Sequence, residues 1–497
     1  MKFIILCLFL LTSFGSFAGL QSATIPRPFF VEQESEDNQM FLLSRGEEAL
    51  EARLDLISKA TKTIEVEYYI YDADKVGKLM TLELIKAAKR GVKVRMLLDK
   101  FTSIAQVNAF FAREIMKSGI EIKYYNDSSF IQISSVQFRN HRKLLVVDDF
   151  AAITGGRNIG DHYFNQAHDI NYDDRDVLIT GPIVPAMRNT FDIYYDDKVS
   201  VNPKIPKPPK ATYHDDERSH ENKIKKYLAK VDEAKAFLVE TESDIALRNE
   251  IRNFGNKQME GKKSHVCPNT TFASDAPGAK FGDRIKSSYM DDFRFVRKAF
   301  ADKVSAVDKR LIISSPYFIA NNAYKEMLDS LLEKNVEVIF HTNSLASSDA
   351  IFMSANLYWH AKSWIKKGLK LFLHDGKQVE AEGMIGGTTP KIWGTHAKTH
   401  IYETSEYTEV MIGSSNFDNR SDFYNTEIAV FCKGNDEFSD EVKADVMKRM
   451  KNGISVDGNA KAITRTGESI NLTGATKDKI LKMQIFSVPS KLIDFLL

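Results

Sequence analysis

A chain of 497 residues, 43% hydrophobic and 27% charged, can bury large cores and suits two domains of ordinary size. Its 68 basic and 67 acidic residues leave a formal charge of +1, which excludes a protein drawn to nucleic acid by its overall field. A nuclease is thereby disfavoured but not excluded.

Residues 1–18 run from Lys2 through an apolar stretch, Phe3 to Phe14, to Ser16-Phe17-Ala18 before Gly19. Charge, short apolar region and small-x-small site read as a secretory signal peptide, too short to span a membrane comfortably. An uncleaved anchor is the alternative. Either way the chain is expected to be exported, to the periplasm or the outer face of a membrane. Removal of the leader takes Cys7 and leaves Cys267 and Cys432. Two cysteines in so large a chain make no framework and are expected as free or buried thiols, with one disulfide as the alternative.

After a lead-in at 19–42, a first domain is expected over 43–199. Leu50, Leu54 and Ile57 give Glu47 to Ala60 helical spacing, and Thr63 to Tyr71 is an apolar strand. A helix from Leu79 to Arg90 stops at Gly91, before the strand Val92 to Leu98. Gln106 to Lys117 and Ile120 to Tyr125 repeat the alternation, which implies a parallel-rich sheet covered on both faces.

The stretch 141–158, HRKLLVVDDFAAITGGRN, follows. On a strand of period two, His141 and Lys143 share a face, whereas Asp148 has the other parity and is expected to serve the strand end. Asp148-Asp149 turns the chain into a second strand, Ala151 to Thr154, which brings Gly155, Gly156 and Asn158 alongside the first. Beyond it, His162 and His168 lie in a polar loop without partners at metal spacing, and a helix is expected near Ala186 to Asp196.

Residues 200–282 break the pattern with the linker VNPKIPKPPK and a charged helix from His214 to Leu238, whose lysines could meet anionic lipid head groups. A second domain over 283–497 then repeats the first. Arg310 to Ala320 stands for the strand at Thr63, Tyr324 to Lys334 for the following helix, and Val336 to His341 for Val92 onward. Ala355 to Lys367 is the next helix and Leu369 to His374 the next strand, with loop length gained around 375–394. Phe352, Trp359 and Trp364 could touch acyl chains, though core packing is the commoner use. The tail KLIDFLL, at the end of 485–497, would lie on a membrane surface or dock on the domain.

The second copy of the motif, 396–416, carries His396, Lys398, Glu403, Gly413, Ser414 and Asn416. His-x-Lys-x4-Asp-x6-Gly-Gly-x-Asn resembles the HKD motif of the phospholipase D superfamily. The second copy departs twice: Glu403 replaces the usual Asp, and nine residues instead of six precede Gly413. The off-face parity of that acid leaves the chemistry possible, and the extra residues fit a longer hairpin tip at Glu406-Tyr407. Gly155 to Tyr163, Arg175-Asp176-Val177 and the Asp275-Ala276-Pro277 segment resemble bacterial cardiolipin synthases of the C type.

The resemblance implies an α/β fold of two pseudo-repeated phospholipase D-like α-β-α sandwich domains sharing a central active site. It implies His141, Lys143, Asn158, His396, Lys398 and Asn416 as catalytic residues: His141 as nucleophile, His396 as acid and base, the lysines and asparagines on the phosphate oxygens with Ser414 as a further donor. Asp148 and Glu403 would support the strand ends. Glu427, in an Asn-x-Glu element, would orient His396 or its partner, and Asp176 is the first-half candidate. Two ammonium groups on one phosphate stand where other phosphodiesterases use a divalent ion, so no metal or cofactor is implied. The expected substrates are membrane phospholipids, phosphatidylglycerol or phosphatidylethanolamine, with transfer and hydrolysis both open. The alternatives are a secreted nuclease and a non-catalytic lipid-binding protein with a decayed second motif.

Overall fold

Strand Thr63–Tyr68 shows how the first half is built. Ile64, Val66 and Tyr68 enter one apolar core, while Glu65 and Glu67 on the opposite face are buried against Arg95 and Arg142. The computed structural model describes residues 28–103, 106–128, 137–213, 216–348, 357, 361, 363–377, 390–451, 453–456, 462–463 and 469–470. The leader, the tail at 485–497, Phe352, Trp359 and most of the helix expected at 355–367 lie outside them.

Thr63–Tyr68 pairs parallel with Lys93–Asp99, which pairs parallel with Glu121–Tyr125. On its other side it meets Lys143–Val147, antiparallel, followed by Ala151–Gly155, Asp176–Thr180 and Gln39–Leu43. The second sheet repeats this order with Arg310–Ser314, Glu337–Asn343 and Lys370–His374 on one side and Thr399–Glu403, Thr408–Gly413, Ile428–Lys433 and Asn269–Ser274 on the other. The helices Gly46–Lys59 and Lys75–Lys89 cover the outer face of the first sheet; Phe295–Ser305 and Asn322–Glu333 cover that of the second. Between the two sheets a third core joins the halves. Leu144, Val146 and Ile179 share it with Ile312, Ile401 and Val430, and Phe191 and Val442 enter it from helices Val184–Asp196 and Asp436–Lys451. The expected duplicated α/β architecture is therefore present, with helix and strand ends displaced by a few residues. Trp364 is in the second core, as packing would have it.

The region read as linker does more than connect. Helix Glu217–Phe237 packs on Ala109–Met116, and a helix the charge pattern did not reveal, Glu242–Met259, lies along Gly46–Lys59 with Arg248 paired to Glu51. His265–Val266 is the edge strand of the first sheet beside Gln39–Leu43. Asn269–Ser274 is already a strand of the second, and Phe30–Glu34 from the lead-in pairs with it. The second repeat thus begins before 283, because its counterpart of Gln39–Leu43 is Asn269–Ser274.

Cys267 and Cys432 form a disulfide, Cα to Cα 5.7 Å, in place of the expected thiols. Their 165-residue separation concealed that Cys267 sits where the chain leaves the first sheet for the second, beside the strand that holds Cys432. Cross-linking a loop this long stabilises by about 2–4 kcal/mol, mainly by restricting the unfolded chain. Cys267→Ser with Cys432→Ser should lower the urea-unfolding free energy by that amount, and reductant should lower that of the native chain equally.

Candidate active site

His141 precedes Lys143–Val147, and a backbone ladder to the second half fixes its position. Thr426 N donates to Arg139 O at 2.9 Å, and His141 N donates to Thr426 O at 3.0 Å. The next side chain on the facing segment, Glu427, meets the imidazole: His141 Nδ1 lies 2.9 Å from Oε2 and 3.0 Å from Oε1. The other histidine repeats the device. Ile392–Thr395 pairs parallel with Ile170–Asp173, His396 N donates to Asp173 O at 2.8 Å, and His396 Nδ1 lies 2.6 Å from Asp174 Oδ2. Each half thus supplies the carboxylate for the other half's histidine.

Four basic groups converge here, His141, Lys143 and Lys398 buried and His396 nearly so. Burial, then Lys143, Lys398 and His396, push the His141 imidazole well below its ordinary range. Burial and Lys398 push His396 down to about 4, against the opposing pull of Asp174. Lys143 is driven down by burial and Lys398, with Glu427 opposing. Burial raises Glu427 to about 7 despite Lys143, whereas Asp174, also buried, is held below the usual carboxylate range by His396 and Lys398. The first pair therefore favours one proton shared between imidazole and carboxylate near neutrality. The ammonium groups are pinned by backbone: Lys143 Nζ donates to His141 O at 2.5 Å and Lys398 Nζ to His396 O. Rings wall the site, with Tyr69 edge-on to His141 at 4.8 Å and Tyr163 edge-on to His396 at 5.1 Å.

The remaining sequence candidates divide. Asn158 Oδ1 accepts from Ile70 N at 3.2 Å, and Asn416 N donates to Ser421 Oγ at 3.0 Å while its own Oδ1 has no hydrogen-bond partner among the described residues. Ser414 is not aimed at substrate, since its hydroxyl donates to Glu427 and so helps to hold that carboxylate. Asp148 stands at the strand end, as its parity requires, and accepts from the backbone N–H groups of Thr61, Lys62 and Thr63 at 2.7–2.8 Å. Glu403 holds the matching end through Arg310 at 3.1 Å and Lys443. Asp275 accepts from Glu427 N at 3.1 Å and Val296 N at 3.0 Å, so the Asp-Ala-Pro segment braces the orienting acid.

Asp176 does not orient a histidine. It lies buried between Arg53 at 2.8 Å and Arg157 at 3.3 Å, and the residue that sequence reasoning missed is Asp174. Strand register could have found it: Gly155 pairs with Asp176 as Gly413 pairs with Ala429, and two residues back from each partner stand Asp174 and Glu427. Gly156 is needed for the approach, because a Cβ there would lie 2.1 Å from Asp174 Oδ1.

Residues 54–192 match the family described as cardiolipin synthase, phospholipase D-like domain. Cardiolipin synthase C of Escherichia coli (strain K12) is 28% identical over 437 residues, which cover 82% of this chain and 84% of that protein. The major cardiolipin synthase of Bacillus subtilis (strain 168) is 33% identical over 159 residues, 32% of this chain and 33% of that one. Over residues 54–192 the chain thus carries a phospholipase D-like domain, and over most of its length it is similar to a bacterial cardiolipin synthase. Its fold is shared by the phosphatidylserine synthase of Haemophilus influenzae Rd KW20, with a TM-score of 0.60 at 15% identity over 95% of this chain and 98% of that one.

Removing one partner from a buried ion pair costs about 3–5 kcal/mol, because the other charge is left uncompensated. Asp176→Ala strands Arg53 and Arg157, so its urea midpoint should fall accordingly, whereas a catalytic role alone would leave stability untouched. Glu427 gives a pH signature. Its folded pKa is raised, so the stability it contributes is complete below about pH 4.5 and lost as pH rises through about 7. Gln cannot ionise, so Glu427→Gln should gain stability relative to the native enzyme between about pH 5 and about pH 8.

Proposed function

We propose that this enzyme transfers a phosphatidyl group between alcohols through a phosphohistidine on His141. The observation that carries the proposal is the crossed pair of contacts, His141 with Glu427 and His396 with Asp174, beside Lys143 and Lys398. With each Nδ1 held by a carboxylate, Nε2 is the reacting nitrogen on both rings. A neutral His141 attacks phosphorus through Nε2 as the P–O bond to the departing alcohol breaks, and His396 gives that oxygen its proton. An incoming hydroxyl then returns a proton to His396, attacks phosphorus and releases His141. Glu427 balances the positive charge that His141 gains as phosphohistidine. Lys143 and Lys398 bind the non-bridging oxygens, with Asn158 and Asn416.

The relatives named cardiolipin synthase support phospholipid substrates; for a cardiolipin product the donor would be phosphatidylglycerol and the acceptor a glycerol hydroxyl of a second phospholipid. Among the described residues no helix is long and apolar enough to cross a membrane. The disulfide supports export, since such bonds persist in oxidising compartments. Glu403 lends nothing to the reading of a decayed second motif, for its place at the strand end is a structural one.

Labelled phosphatidylglycerol tests the proposal. Cardiolipin should appear, in chelator as in buffer, and His141→Ala or His396→Ala should abolish it with the fold retained. Phosphatidic acid alone would mean hydrolysis, and cleaved DNA with intact lipid would sink the reading. The pH profile probes His396. A bound phosphodiester anion raises its pKa from about 4, so the limb along which activity falls with rising pH should lie higher in kcat than in kcat/KM. Asp174→Asn removes the group that supports the protonated ring and should move that limb to lower pH.

A further inference from the structure

Outside the two-histidine site, a cavity of about 330 Å³ lies between helices Phe295–Ser305 and Asn322–Glu333. Both helices follow the second sheet on its outer face and run in the same direction, with their N-termini at the edge where the catalytic segments emerge. Val296 N at the first turn of one binds Asp275, which in turn holds Glu427 N. Tyr324 at the first turn of the other stacks on Phe417, the neighbour of Asn416, with ring centroids 3.9 Å apart. The groove therefore begins one layer from the site and runs away from it for about 12 Å along the first helix, from Arg297 to Ser305.

Its chemistry is graded. Arg297 stands at the site end, 3.5 Å from Asp422, with its Nη1 in no hydrogen bond among the described residues. Below it Phe300, Ala301, Val304, Met327 and Leu331 give a mainly apolar channel, with Glu326 and Ser330 also on its wall and Ser305 and Lys334 at the C-terminal ends of the two helices. The Arg297 guanidinium already faces Asp422, and the walls below it favour hydrocarbon. A peptide helix, about 10 Å across, is too wide for this volume.

We propose that the groove holds one acyl chain of the phospholipid whose phosphate is bound between His141 and His396. This deepens the proposed function and rests on it for the phosphate end. Catalysis would then use hydrocarbon contacts remote from phosphorus to place the head group, and lipids with short chains would forgo them.

Filling the channel tests this. Ala301→Phe is compared with native enzyme on dioleoyl and dihexanoyl phosphatidylglycerol, both in the same mixed micelles. The expected result is a loss of about tenfold or more in kcat/KM on the long-chain lipid, with the short-chain value within about twofold. Equal loss on both lipids, or loss on neither, would overturn the proposal. Met327→Trp serves as a second filling variant if Ala301→Phe lowers the melting temperature. Binding of fluorescent cis-parinaric acid gives a readout that needs no turnover. Native protein should bind it saturably and the filled variants at least about tenfold more weakly. If the native protein fails to bind it, or the filled variants bind it equally well, the groove is not an acyl site. Saturable, groove-dependent binding without turnover of any phospholipid would instead leave the groove standing and remove the phosphatidyl-transfer reading.

Discussion

The active site depends on two short backbone pairings that cross between the halves. Asn140 and His141 pair with Thr426, and Ile392–Thr395 pairs with Ile170–Asp173. In each, the residue after the pairing is half of an imidazole–carboxylate contact. Hydrogen-bonded register thus sets both histidines to within a fraction of an ångström, which side-chain packing alone would hold less firmly. Neither half is complete alone. Separated, each would carry a histidine without its carboxylate and an acid without its base.

The same convergence explains the electrostatics. Lys143, Lys398, His141 and His396 repel one another in a site from which water is largely excluded, and the shifts of Lys143 and both imidazoles register that repulsion. Glu427 and Asp174 offset part of it but are spent on the Nδ1 atoms. A phosphodiester anion in the centre would relieve the remainder and favour the protonated forms of His396 and Lys143 as it binds. The basic side chains are held in position in advance of the substrate, so the transition state needs no rearrangement of the protein to meet it.

Much of this was legible in the sequence. Period-two alternation around His141 and Lys143 put both on one face and set Asp148 apart, and the structure places Asp148 on the backbone of Thr61 to Thr63. Helix spacing at Leu50, Leu54 and Ile57, with the repeat of strand and helix after Arg310, gave the duplicated architecture. What stayed hidden was set by tertiary register. Asp174 and Asp176 both lie on the segment after the first motif, and local pattern alone cannot tell which meets a ring and which meets Arg53 and Arg157. Cys267 and Cys432 met through strand order, and Asn269–Ser274 looked like linker because its companion strand, Gln39–Leu43, had been placed in a lead-in.

That last strand explains why the halves are interlocked and not merely tethered. Phe30–Glu34, from before the first repeat, completes the second sheet beside Asn269–Ser274, while His265–Val266, from after it, completes the first beside Gln39–Leu43. The chain crosses between sheets at both ends of the first repeat, and the disulfide fastens the second crossing to Ile428–Lys433, the strand that continues from Glu427. A shift of one half against the other would therefore have to break sheet hydrogen bonds at two edges and strain a covalent link, as well as unpair the two ladders beside the histidines. The rigidity that a phosphate site built from two domains requires comes from this threading. The apolar core between the sheets supplies the driving force for association, but being non-directional it could not fix the relative position of two rings on its own.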